Sequence, residues 1–189
     1  QAFFFNSGVI HFSIPGTVES IGENCFMGCN SMIRLTFRKG EGVLTLSNKD
    51  CINSAGKYVD NDYFYDSPIR TLYVGRNLKY QASNSRYDSS KTAPFHNKKT
   101  LRKITFDPCV TYVPYFMATE CSNLTEVIWG QNITDIGEYA FYNCKSLTKV
   151  EFPHRVATIG NYAYAGCTQM KDVTFQKNET GEPTLSIGT

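Results

Sequence analysis

Seven cysteines and three histidines are the side chains of this 189-residue chain best suited to ligating a metal or carrying a nucleophile. Their spacing supports neither role. His11, His96 and His154 lie far apart, and the sequence contains no Cys-x-x-Cys, His-Glu-x-x-His or Gly-x-Ser-x-Gly. Asp60, Asn61, Asp62 and Asp66 form an oxygen-rich loop that could take calcium. It lacks the EF-hand spacing with its glycine and terminal glutamate, so a solvated loop is the ordinary reading. No nucleophile, base and orienting group come together, so the expectation is a protein without enzymatic activity and without a cofactor.

The cysteines have a different meaning once their positions are compared. Cys121, Cys144 and Cys167 are 23 residues apart, and other columns keep the same period. Phe95, Ala118, Phe141 and Tyr164 form one; Leu101, Leu124, Leu147 and Met170 another. Ile104, Val127, Val150 and Val173 follow, then Phe106, Trp129, Phe152 and Phe175. Near the N-terminus Ile21, Phe26, Cys29, Met32, Leu35 and Phe37 match Ile136, Phe141, Cys144, Leu147, Val150 and Phe152. Every column keeps its character. A fixed period of 20 to 50 residues marks a solenoid, in which a repeat buries its apolar face only against its neighbours. The expected organisation is one continuous repeat domain over residues 1–189, with both ends cut from a longer array.

Each repeat must supply a short strand, because its apolar residues end in the alternation seen at Val150-Glu151-Phe152. Seven such strands are expected to lie parallel. A second apolar pair follows, such as Val156 and Ile159, then a Gly column (Gly22, Gly137, Gly160, Gly188) and a segment suited to a turn or 3₁₀ stretch opposite the strands. The Gly column also holds Pro114, whose φ is fixed near about −65°, so these glycines are read as close packing rather than left-handed backbone. Cysteines stacked in one column would have Cβ atoms about 4.8 Å apart, whereas a disulfide needs about 3.8 Å. Buried free thiols acting as small apolar spacers are therefore expected. Cys51 and Cys109 lie off that column and Cys25 takes an alanine position, which leaves a bridge between loops open.

Between Phe26 and Phe95 the chain has three periods' length but only one irregular repeat, with Leu44 and Leu46 as its second apolar pair and Phe64 as its phenylalanine. The surplus lies near residues 53–62 and 81–92. Such insertions fall at one edge of a solenoid, often the binding edge, though surface decoration is the plainer reading.

The pattern I-G-x-x-A-F-x-x-C-x-x-L-x-x-V-x-F-P, present from Ile136 to Pro153, resembles the BspA-like leucine-rich repeat. The likeness covers almost the whole chain, with departures at Ala118, Ser67 and Lys98 and in the two insertions. It implies an α/β leucine-rich-repeat solenoid, β-rich, right-handed, with a sheet of about seven short parallel strands and turns or 3₁₀ segments opposite. It also implies an extracellular or cell-surface protein, as carried by gut and oral bacteria and some protozoan parasites, whose characterised members bind host matrix or plasma proteins.

The outward strand positions are then the candidate binding residues: His11, Arg34, Lys103, Glu126, Lys149 and Asp172 in one column, with Ile128 and Glu151 in the next. Tyr58, Tyr63, Tyr80 and Tyr87, at the insertions, are candidate aromatic contacts for a protein or a glycan. The alternative is a spacer that holds another domain away from the cell. Seven strands give a face roughly 30 Å by 12 Å, nearer 400 Å² than the roughly 800 Å² per partner of a standard interface. A net charge of +2 with both signs interspersed gives no footprint for nucleic acid. No apolar run approaches the 18 residues or so of a membrane span. Asn123, Asn132 and Asn178 lie in Asn-x-Thr sequons, relevant only in a eukaryotic secretory host.

Overall fold

The computed structural model describes residues 8–22, 25–26, 28–46, 64, 67–80, 93–177 and the strand at 186–187. Within them each repeat gives one main strand: β1 His11–Ile14, β3 Arg34–Phe37, β5 Thr71–Val74, β7 Lys103–Phe106, β9 Glu126–Ile128, β11 Lys149–Phe152 and β13 Asp172–Phe175. All pair parallel, and in the predicted register: Leu35 lies beside Leu72, Leu72 beside Ile104, and Val150 beside Val173. Alternation turns the apolar residues inward, so Leu35, Phe37, Leu72, Val74, Ile104 and Phe106 are buried.

The seven strands do not form one ladder. β1-β3-β5-β7-β9 is a five-stranded sheet, and β11-β13 is a separate pair. At the break stands Trp129, whose indole packs on Phe106 at 5.6 Å, Phe141 at 5.7 Å and Phe152 at 5.9 Å. Its repeat carries Ala118 in place of the usual phenylalanine. The repeat thus loses one ring at Ala118 and gains a larger one at Trp129, at the point where the ladder of main strands is interrupted.

The second apolar pair builds strands as well, which the sequence reading did not anticipate. β2 Ser20–Ile21, β4 Leu44–Leu46 and β6 Leu78–Tyr80 form one parallel sheet, and β8 Tyr112–Val113, β10 Asp135–Ile136, β12 Thr158–Ile159 and β14 Ser186–Ile187 another. Opposite the main strands, turns close each coil, and among the described residues no helix forms. The turns carry a third hydrogen-bonded line between repeats. Phe116 N–H donates to Glu138 O at 2.9 Å, Tyr139 N–H to Asn161 O at 3.0 Å and Asn143 N–H to Ala165 O at 2.8 Å.

Two columns reach that geometry with left-handed backbone. Phe116, Tyr139 and Tyr162 have φ of 55°, 54° and 56°, and Asn97, Glu120 and Asn143 have 54°, 61° and 57°. Bulky residues rarely adopt such values. Here Asn97, Phe116, Glu120, Tyr139 and Asn143 each donate a backbone N–H to the next repeat, and the rings of Phe116, Tyr139 and Tyr162 stack at 5.1 and 5.0 Å. In the Gly column Gly137 and Gly160 behave as expected, whereas a Cβ on Gly22 would meet nothing within 4 Å, so close packing does not account for that glycine. Neither Gly137 nor Gly160 has positive φ, and a Cβ on Gly137 would come within 2.4 Å of Tyr115 N and 2.7 Å of the Pro114 carbonyl carbon.

The core is a row of stacked rings. Phe64 lies between Phe26 and Phe95, 5.3 Å from each, so the irregular repeat keeps its place in the row. Cys25, Cys29, Cys109, Cys121, Cys144 and Cys167 are free thiols. In the Cys column they are more than spacers. Cys121 donates to Phe95 O at 3.1 Å, Cys144 to Ala118 O at 3.1 Å and Cys167 to Phe141 O at 3.2 Å. Lys98, which replaces one of these cysteines, is buried and reaches the carbonyl of Phe64 with its ammonium. Burial pushes the Cys144 thiol well above its usual range, and that of Cys167 up to about 11. Thiolates are the reactive species. Iodoacetamide at about pH 8 is therefore expected to leave Cys121, Cys144 and Cys167 unmodified in the native protein and to label them in denaturant, a difference that peptide mass spectrometry reads directly.

Candidate binding face

The outward residues of the five-stranded sheet form continuous rows, because parallel pairing without a register shift places equivalent residues side by side. His11, Arg34, Thr71, Lys103 and Glu126 make the first row, and Ser13, Thr36, Tyr73, Thr105 and Ile128 the second. His11, Arg34 and Glu126 are exposed, as is Ile128 at 41%. Lys103 and Glu126 are ion-paired at 3.1 Å. Both are largely in water, so the pair contributes about 0–1 kcal/mol and mainly cancels two charges. Lys149, Glu151 and Asp172 are exposed on β11 and β13, with Lys149 beside Asp172. They belong to the separate pair of strands.

Two outward residues escaped the sequence reading. Thr71 and Tyr73 complete the rows on β5, whose repeat is irregular, so counting in periods of 23 passes over them. The alternation in Leu72-Tyr73-Val74 was the available signal. Tyr73 is the aromatic residue of the second row, and its hydroxyl donates to Asp107 Oδ2 at 2.5 Å. The other carboxylate oxygen, Oδ1, accepts the Cys109 N–H at 2.9 Å. That hydrogen bond to Asp107 holds the Tyr73 phenol up at about 12. Burial pushes the Asp107 carboxyl up, but hydrogen bonds from Cys109 and Tyr73 and the charge of Lys39 outweigh it and hold the group below its ordinary value. The Cys109 thiol, raised to about 11 by burial and by Asp107, donates to Gly75 O at 2.8 Å. Asp107 therefore fixes Tyr73 upright on the face and has both oxygens engaged.

Tyr80 is not a surface contact. Alternation along β6 turns Leu78 and Tyr80 inward and Lys79 outward, leaving Tyr80 only 4% exposed. Its hydroxyl donates to Tyr115 O at 2.7 Å while the Tyr115 hydroxyl donates to Tyr80 O at 2.7 Å, a reciprocal clasp between repeats. Tyr58, Tyr63 and Tyr87, both insertions, Cys51 and the acidic residues 60–66 lie outside the described residues. Among the described residues no group of His, Cys, Asp or Glu could hold a metal ion, and no helix is long and apolar enough to cross a membrane.

The family model for the BspA type leucine-rich repeat region matches residues 1–93 and 90–183, in six copies. Among solved structures, a leucine-rich repeat protein from Bacteroides ovatus is similar with a TM-score of 0.54 and 19% identity, over 95% of this chain and 57% of that one. A leucine rich cell surface protein from Faecalibacterium prausnitzii is similar with a TM-score of 0.49 and 17% identity, over 94% of this chain and 36% of that one. The chain thus spans little more than half the length of the first and about a third of the second. No protein with a curated description matches the chain.

Proposed function

This chain belongs to the BspA-type leucine-rich repeat family, and from that premise we propose that it is a non-enzymatic recognition protein, secreted or held at the cell surface, that binds a host or matrix protein through its repeat surface. Residues 1–189 act as one repeat domain, and the outward face of the five-stranded sheet is the contact surface. The observation that supports this reading is Tyr73. Tyrosine is enriched at binding hot spots, and this one stands in the second row with its hydroxyl fixed by Asp107, so little side-chain freedom is lost on contact. Ile128 is exposed two strands away in the same row.

The face is small for a standard interface, so the insertions near 53–62 and 81–92 are part of the proposal as flanking contacts. A solid-phase screen against matrix and plasma proteins and a glycan panel tests it. Saturable capture of a protein, weakened when Arg34, Lys103 and Glu126 are replaced together by alanine, supports the face. Capture that survives the triple substitution but is lost on deleting either insertion moves recognition to the loops. Capture of nothing favours the spacer.

A further inference from the structure

The overall charge of the chain is close to balanced, but charge is not evenly spread over the sheet. On β3, β5 and β7 and the residues flanking them stand Arg34, Arg38, Lys39, Arg70, Arg102 and Lys103. Arg34, Arg38, Lys39, Arg70 and Arg102 are exposed. Among the described residues three acidic groups lie close to these strands in the sheet or in the chain. Glu126 is taken by Lys103. Asp107 has one oxygen on Tyr73 and the other on Cys109 N–H, and its charge also acts on Lys39. Glu41 lies on the loop after β3, and its backbone carbonyl is held by Arg76. Arg38 Nε is spent on Ser13 Oγ at 2.8 Å, and Arg102 donates to the carbonyls of Lys99 and Asn123. Among the described residues no carboxylate lies within ion-pair distance of Arg34, Lys39 or Arg70. These cations flank the row that holds Tyr73 and Ile128.

We infer that this face takes an acidic peptide segment of a protein partner, with carboxylates on Arg34 and Arg70 and two apolar side chains on Tyr73 and Ile128. The inference rests on the recognition role proposed above and names its chemistry. Arginine forks favour planar carboxylates. Tyr73 and Ile128 are two strands apart, about 10 Å, which three residues of a polyproline-II peptide span with both side chains on one side. A polyanionic glycan would satisfy the cations but has no apolar side chain for Ile128. A neutral peptide would leave the cations unanswered.

The probe is a fluorescein-labelled octapeptide of glutamates and aspartates with Phe at its third and Leu at its sixth position. Two variants accompany it, one with amides for the acids and one with serines for Phe and Leu, together with a heparin tetrasaccharide. The expected result is saturable anisotropy binding that falls with salt, weakens at least about tenfold with the amide peptide and with Arg34→Gln/Arg70→Gln, and weakens about fivefold with Ile128→Ser. An unchanged melting temperature shows that these surface variants stay folded. Equal binding of the amide peptide overturns the inference. So does tight binding of heparin and the serine peptide that ignores Ile128→Ser, which would make the face a plain polyanion site. If no peptide binds while a protein from the screen is still captured and Arg34→Gln/Arg70→Gln leaves that capture intact, the acidic-peptide inference fails and the recognition role stands. Failure of both assays removes both.

Discussion

Replacing Arg76 by alanine is expected to lower the stability of the fold by about 3–5 kcal/mol, an effect out of scale for a charged side chain in a loop. Arg76 is only 3% exposed. One guanidinium nitrogen donates to Gly16 O at 2.6 Å and Val18 O at 2.8 Å, and the other to Glu41 O at 2.5 Å. These carbonyls belong to the loops of the two preceding repeats, so a single side chain ties three consecutive coils. Truncation leaves three carbonyls at part-buried sites without this donor, and each that stays shut off from water costs about 1–3 kcal/mol. Lysine is expected to recover less than half of the loss, since a single ammonium on a flexible stem cannot reproduce the planar fork. Urea midpoints of the wild type, Arg76→Ala and Arg76→Lys decide the matter. Near-neutral behaviour of the alanine variant would mean that the coils are held together elsewhere.

Phe141→Ala is the second large effect, about 3–5 kcal/mol. Phe141 is fully buried, stacked on Tyr164 at 5.2 Å and edge-on to Trp129 at 5.7 Å. Its own column shows how the site could adapt, because Ala118 is tolerated in the preceding repeat, which carries Trp129. No such ring compensates at Phe141, where the same repeat has Phe152. The loss should therefore appear in full, read from the thermal midpoint and the denaturant slope together. A cost below about 1 kcal/mol would contradict the register from which the whole fold is read.

That register was the most legible part of the chain, for a physical reason. A solenoid solves the same burial problem once per repeat, so Phe26, Phe95 and Phe141, or Leu35, Ile104 and Val150, report the same environment several times over. The spacing argument for free cysteines rested on the same stacking. What stayed hidden depends on single partners. Two-residue strands such as Thr158–Ile159 are too short for alternation to announce them. The left-handed aromatics at 116, 139 and 162 are invisible because the usual marker of that backbone is glycine, and at 116 and 139 inter-repeat N–H bonds hold it without one. Arg76 and Lys98 look like solvated cations in sequence, yet both are buried donors to backbone carbonyls.

The candidate face was legible in part for similar reasons. His11, Arg34, Lys103, Glu126 and Ile128 fall out of the period, while Tyr73 belongs to the one repeat that the insertions put out of count. Tyr80 misled because proximity to an insertion says nothing about which way a strand residue points; β6 points it inward. The concentration of cations on β3 to β7 was masked by averaging over the chain, whose net charge is +2.

The most direct test of the account is partner capture by three forms of the chain: wild type, Tyr73→Ala/Ile128→Ser on the sheet face, and Glu138→Gln/Lys145→Gln on the turns opposite, where both residues are exposed. Binding that falls at least about tenfold with the face variant and stays unchanged with the turn variant is the predicted result. Binding that survives the face variant, or falls equally with both, would contradict recognition through the sheet.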